Sequence, residues 1–388
     1  MQIADRISRI QPSITLEMTA KAAELRKAGV DVINLSVGEP DFDTPSNIKE
    51  AAYAAIKQGK TKYTAGSGIP ELKSAIIEKL KRDNNLHFNQ DNIIVSCGGK
   101  HTLYNACQVL FQSGDEVIVF SPYWVSFPDF VSVTGAKPII VPTIAEKQYE
   151  PDFGILEESM NQNTKGIIIN SPSNPTGGVW SDEAIKRTLS IAKENNLWVF
   201  SDECYERLTY DSGFKSIQTF DTDNKNILTF QSCSKTYSMT GWRIGYTAGH
   251  PDIIKAMAKL QSQSTSCPNS IAQYAAVEAL SGNQDTVSDM KTTFKKRRDF
   301  IVSELNKIEG IQCEKPGGAF YVFPCLSGLI EKGLIKSAWD FCFELLDKKA
   351  VASVPGRSFG LENNIRFSYA ISSERINLAV QRMKELLK

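Results

Sequence analysis

Lys235 ends the tetrapeptide Ser232-Cys233-Ser234-Lys235, which closely follows the apolar run Ile227-Leu228-Thr229-Phe230. Asp202 stands just after a second such run, Leu197-Trp198-Val199-Phe200, in Ser201-Asp202-Glu203-Cys204-Tyr205. A primary amine can condense with a carbonyl, and a carboxylate nearby can keep a heterocyclic nitrogen protonated. Each residue has an ordinary reading by itself: a lysine after a strand is usually solvated, and an aspartate in a loop is usually a cap or turn. Their weight lies in joint placement at successive segment ends. Competing motifs are incomplete. Ser232-x-x-Lys235 lacks the Ser-Asp-Asn and Lys-Thr-Gly companions of penicillin-recognising enzymes. Gly98-Gly99-Lys100 has Ile94 where a Walker phosphate loop needs glycine and His101 where it needs Ser or Thr, and Gly66-Ser67-Gly68-Ile69-Pro70-Glu71 lacks the third glycine of a dinucleotide fingerprint.

Placing those side chains requires a sheet. Further apolar runs occur at Ile93-Ile94-Val95, Glu116-Val117-Ile118-Val119-Phe120, Gly166-Ile167-Ile168-Ile169 and Ile244-Gly245-Tyr246, mostly with spacers long enough for helical crossovers. Continuously apolar runs suit strands covered on both faces, so the expectation is an α/β fold with a mostly parallel sheet flanked by helices. In such sheets ligands sit beyond the carboxyl ends of the strands. Those ends are polar here: Ser96-Cys97-Gly98-Gly99-Lys100, Ser121-Pro122-Tyr123-Trp124 and Asn170 through Gly177 join the two segments above. After about residue 285 a charged helical stretch around Lys291 to Asn306 leads to short strands near Gly318 to Phe323 and Asn364 to Tyr369. The last helix follows, with Ser373 as N-cap and Ile376, Val380, Met383 and Leu387 on one face. This predicts a large domain over 39–285 and a smaller α+β domain made of 1–38 with 286–388.

The chain has 388 residues, and 44 Lys+Arg balance 44 Asp+Glu. Zero net charge argues against a nucleic-acid or polybasic membrane surface. The eight cysteines form no Cys-x-x-Cys pair, so neither a metal site nor a disulfide framework is expected. With no signal-like apolar stretch near Met1 and no run of about 18 apolar residues, a cytoplasmic protein without membrane partners is expected.

Pyridoxal 5′-phosphate is the cofactor that uses all these segment ends together. It needs a lysine for a Schiff base, an acid for its ring nitrogen and a cradle for its phosphate. Lys235 and Asp202 supply the first two, and Tyr205 can donate to the ring oxygen. Ser232, Ser234 and Arg243 can surround the phosphate, with backbone N–H groups of Gly99 and Lys100 at a helix start, and Trp124 offers a flat face for the ring. Trp124 alone would more often be core, and Asn174-Pro175 with Gly177 is by itself a turn signal.

The same residues bring out a resemblance over nearly the whole chain to the class I aminotransferase family of fold-type I pyridoxal-phosphate enzymes, in its bacterial aspartate branch. Its carriers are Ser36 through Phe42, Lys62-Tyr63, Gly98-Gly99-Lys100, Ser121 through Trp124, Asn174-Pro175-Thr176-Gly177, Ser201 through Tyr205, Ser234-Lys235 through Gly245, and Arg366-Phe367-Ser368. The resemblance implies a seven-stranded, mostly parallel sheet and a homodimer with shared active sites, in which Tyr63 reaches the phosphate of the other subunit. It implies Lys235 as Schiff-base residue and proton shuttle, Asp202 at the ring nitrogen, and Tyr205 and Asn174 at the ring oxygen. Arg366 would grip the substrate α-carboxylate, assisted by Asn174 and the Gly38 backbone. Lys100 would meet a distal carboxylate, and Ser13 and Thr15 would close over substrate. The expected reaction is ping-pong transamination between aspartate or glutamate and 2-oxoglutarate or oxaloacetate. An alanine, aromatic or broad-specificity aminotransferase, or a lyase, would share the cofactor residues. A transcriptional regulator would need a further DNA-binding domain. Relatives that transaminate prephenate tend to carry a basic residue where Gln11 stands, which sets that activity in question.

Overall fold

The computed structural model describes residues 3–11 and 14–388, apart from the side chains of Thr15 and Leu16. Thirteen strands occur among them: β1 Ile33–Asn34, β2 Ile93–Ser96, β3 Glu116–Ser121, β4 Lys137–Ile144, β5 Glu150–Pro151, β6 Thr164–Asn170, β7 Trp198–Asp202, β8 Ile227–Ser232, β9 Gly245–Ala248, β10 Tyr321–Val322, β11 Val351–Ala352, β12 Val354–Pro355 and β13 Ile365–Ser368. The central sheet has the order β2-β9-β8-β7-β6-β3-β4-β5. Its strands are parallel except β9, antiparallel to both neighbours, and the edge strand β5. The α/β architecture and mostly parallel sheet therefore hold, with the two-residue β5 making eight strands instead of seven.

The apolar runs did not disclose β4, nor the two-residue strands β1, β5, β11 and β12; β4 is the long one. Pro138 and Pro142 interrupt it, and proline lacks the N–H that a two-sided ladder needs. β4 tolerates both because its outer edge meets only β5, at Thr143 and Ile144. Strands β7 and β8 inside the sheet, and β2 at its edge beside β9, are buried along almost their whole length, as their mainly apolar sequences require. One core cluster packs around Phe111, Phe200 and Phe230 and another around Ile167, Val199 and Trp180, on opposite faces of the sheet.

Two smaller sheets lie outside this one: β1 pairs in parallel with β11, and β10-β13-β12 is antiparallel. The long helix runs from Asp285–Leu305, earlier than the charged stretch alone marked. The C-terminal helix is Ser373–Leu386. Its N-cap is Ser372, not Ser373, because the Ser372 hydroxyl accepts from the Arg375 N–H. Ile376, Val380 and Met383 of its apolar face are buried.

Candidate active site

The carboxyl ends of the central strands open into a cavity of about 890 Å³. Gly38, Gly99, Lys100, Trp124, Asn174, Asp202, Tyr205, Ser232, Ser234, Lys235, Arg243 and Arg366 all line it. Gly38 and Arg366, far apart in sequence, thus meet in one crevice, at the location a parallel sheet favours.

Asp202 ends β7 and is buried. Its Oδ1 accepts from the Cys204 N–H at 3.2 Å, and among the described residues no basic side chain hydrogen-bonds to it. Burial pushes its carboxyl up to about 7, against the pull of the Cys204 N–H and Lys235. Lys235 does not close a strand as expected. β8 ends at Ser232, whose hydroxyl caps a four-residue helix, Cys233–Thr236, that carries the lysine. That extra turn sends Lys235 Nζ back to donate to the Gly38 carbonyl. Burial lowers the pKa of this ammonium, and the positive charges of Arg366 and Arg243 act in the same direction.

A third group of residues gathers donors at one end. The helix Gly99–Leu110 begins after Gly98, which offers no side-chain cap, so its first N–H groups remain open to an anion. Ser232 Oγ lies 2.9 Å from Ser234 Oγ, and Arg243 Nη1 donates to the Thr240 carbonyl at 2.8 Å. Gly98 is required by its backbone, whose φ of +94° is one that L side chains rarely adopt. Gly245 is required for close approach, since its Cβ would stand 2.3 Å from the Gly99 backbone nitrogen.

Opposite these, Arg366 on β13 donates through Nη1 to Asn174 Oδ1 at 2.9 Å and through Nη2 to the Ser36 carbonyl at 2.7 Å. Its Nε is buried without a partner among the described residues. A buried guanidinium with an unsatisfied N–H, in a cavity wall, is suited to a carboxylate. The wall between holds Trp124, edge-on to Phe127 and Phe130, with Lys100 Nζ 5.0 Å from a Trp124 ring centroid. Burial, then repulsion from Arg243, lowers the Lys100 pKa, while Asp129 raises it.

One expected residue that the structure describes is not brought into the cavity wall. Tyr63 is 91 % exposed and lies outside it. Ser13 lies outside the described residues, and of Thr15 only its place in the helix Ile14–Lys27 is described. Gln11 does line the cavity, and its N–H donates to Asp129 Oδ1 at 3.3 Å. Sequence reasoning missed Tyr321, Asp129 and Arg357, which also line it. Tyr321 sits in the run Phe320-Tyr321-Val322-Phe323, which reads as plain core. Among the described residues, no group of His, Cys, Asp and Glu is arranged to hold a metal, and no helix is long and apolar enough to cross a membrane.

The family model described as Aminotransferase class I and II matches residues 30–383. A Bacillus sp. (strain YM-2) protein named aspartate aminotransferase is 44% identical over 388 residues, covering 100% of this chain and 99% of its own length. A Rhizobium leguminosarum protein named probable aspartate/prephenate aminotransferase is 45% identical, over 98% of each chain. The solved aspartate aminotransferase from Thermus thermophilus with maleate superposes with a TM-score of 0.94 at 38% identity, covering 100% of both chains.

Proposed function

Because the chain belongs to the aminotransferase class I and II family, we propose that it moves the α-amino group between L-aspartate or L-glutamate and 2-oxoglutarate or oxaloacetate, with pyridoxal 5′-phosphate as cofactor. The observation that carries this reading is one cavity lined by a half-buried amine, Lys235, a buried carboxyl, Asp202, and a buried guanidinium, Arg366. Those groups fit the cofactor. The Asp202 carboxyl faces the cavity with a single N–H partner and suits a cationic ring nitrogen. The open helix start at Gly99 and Lys100, with Ser232, Ser234 and Arg243, suits a phosphate dianion. Lys235 would hold the aldehyde end, Tyr205 and Asn174 the ring oxygen, and Trp124 the ring face.

When bound, the cofactor supplies an electron sink for the substrate α-carbon. The protein's part is positional and protonic. Arg366 pairs bidentately with the α-carboxylate, with Asn174 fixing the guanidinium, so that the α-carbon is held before Lys235. Lys235 Nζ takes the α-proton as general base and returns a proton as general acid. Its lowered pKa favours the neutral amine that the first step needs. A substrate that leaves its amine behind before the second substrate enters gives ping-pong kinetics.

For the substrate side chain, Lys100 is the proposed partner of a distal carboxylate, with Ser13 and Thr15 closing over it and the Gly38 backbone beside it. The two named relatives support aspartate as a substrate. The assembly proposed is a homodimer in which Tyr63 reaches the partner's phosphate site, which its exposure leaves it free to do. We also propose the division into 39–285 and 1–38 with 286–388, supported by the two small sheets drawing only on residues 33–34 and 321–368. A reducing cytoplasm suits the eight unpaired cysteines. The test is a panel of amino donors with 2-oxoglutarate, and glutamate with prephenate. Aspartate should give the highest kcat/KM, and Lys100→Ala should cost aspartate about 1–3 kcal/mol more than alanine or phenylalanine. Equal losses on all donors would leave Lys100 a structural role only.

A further inference from the structure

The Tyr321 hydroxyl lies among three residues of the proposed site. The β10–β13 ladder pairs Tyr321 with Ser368. Arg366 is two residues before Ser368, so Tyr321 and Arg366 project from the same face of this small sheet. The Arg366 guanidinium lies 4.6 Å from the Tyr321 ring centroid. On the other side the Tyr321 and Tyr205 hydroxyl oxygens are 2.9 Å apart, and both residues are buried. Gly38 makes room for this contact: a Cβ there would come within 2.8 Å of the Tyr321 hydroxyl. The Gly38 carbonyl is also the acceptor for Lys235.

A phenol has one proton to donate. If Tyr205 gives its proton to the cofactor's ring oxygen, it must accept from Tyr321. Accepting that bond makes Tyr205 the stronger donor, and the positive charge of Arg366 on the Tyr321 ring makes Tyr321 a stronger donor in turn. A substrate carboxylate that neutralises Arg366 weakens the chain. We infer that Tyr321 is a positioning residue that transmits occupancy of the Arg366 grip, through Tyr205, to the cofactor's ring oxygen. This rests on the reading of Lys235, Tyr205 and Arg366 given above. It adds a second route to the direct Arg366–Asn174 bond, which replacing Tyr321 leaves in place.

The experiment is a pH titration of the visible band of the holoenzyme for wild type, Tyr321→Phe, Tyr205→Phe and the double variant, each with and without maleate. Weaker donation to an anionic ring oxygen makes the proton beside it harder to remove. Tyr321→Phe should therefore raise the midpoint by about 0.5–1 pH unit, the effect of one hydrogen bond. It should also shrink the additional shift produced by maleate. In the Tyr205→Phe background it should do neither. A merely structural role would lower the thermal midpoint and leave the band unmoved. An unchanged midpoint and maleate response in Tyr321→Phe, or an equal change in both backgrounds, would overturn the inference while the wild-type band keeps the underlying reading. A wild type with no visible band after incubation with pyridoxal phosphate would overturn both.

Discussion

Asp202 carries a conflict between folding and function. Burial raises its carboxyl from 3.8 in the unfolded reference to about 7 in the folded protein without cofactor. A raised carboxyl pKa means that its contribution to stability is full below pH 3.8 and is lost as pH rises through about 7. Asp202→Asn should therefore make the cofactor-free protein more stable than wild type in mildly alkaline solution, by an amount on the order of a few kcal/mol, with no gain in acid. The same variant should bind pyridoxal phosphate poorly and lose most activity. Denaturant titrations at two pH values check the first point; equal stability at both would mean that the wild-type carboxylate is solvated. Glu203, also raised to about 7, titrates in both proteins and cancels from the difference. Asp202 and Lys235 could be read from sequence because charged residues beside apolar runs are conspicuous, whereas Arg366 was legible only through the family resemblance. Tyr321 could not, since a tyrosine in an apolar strand looks like core until its hydroxyl partner is seen.

The segments bearing these side chains are fixed from behind. Asp202 and Tyr205 line the cavity while the intervening Glu203 and the following Glu206 join a buried network. Lys79, on the helix Pro70–Asn84, donates to Glu206, to Asn84 Oδ1 at 2.8 Å and to Gln231 Oε1 at 2.7 Å. Gln231 Nε2 reaches Glu206 at 2.9 Å and Glu203 at 3.2 Å. The network thus ties the end of β7 to β8, just before Ser232. Removing one partner of a buried ion pair strands the other, so Lys79→Met should cost about 3–5 kcal/mol in chemical denaturation. A loss below about 1 kcal/mol would show that water reaches Glu206. None of this was visible in the sequence, because Lys79 and Glu206 lie 127 positions apart and each looks like an ordinary surface charge. Periodicity disclosed the inner strands but not β4, where two prolines hide a strand with one largely open side. It also could not foresee the turn of helix between Ser232 and Lys235.

At the scale of the molecule, the sheet gathers distant segments, and the remaining question is whether a second copy completes the site. A tyrosine as exposed as Tyr63, with Tyr53 and Ile56 also exposed nearby in sequence, suits a surface covered by a second copy. If active sites are shared, a refolded mixture of Lys235→Ala and Tyr63→Ala should regain tight-binding, active sites that neither variant has alone, because each hybrid dimer assembles one native site. A mixture no better than its components would place each site within one chain. The resemblance read from the motifs covered nearly the whole chain, and the family match spans residues 30–383; the fold class was legible earlier still, from the apolar runs, before any strand pairing was known.

The most direct test of the account is to incubate the protein with pyridoxal 5′-phosphate, reduce with borohydride and map the modified peptide. The account predicts one stable adduct, on Lys235, lost together with the visible band in Lys235→Ala. An adduct on another lysine, or an unmodified Lys235 in catalytically active protein, would contradict it.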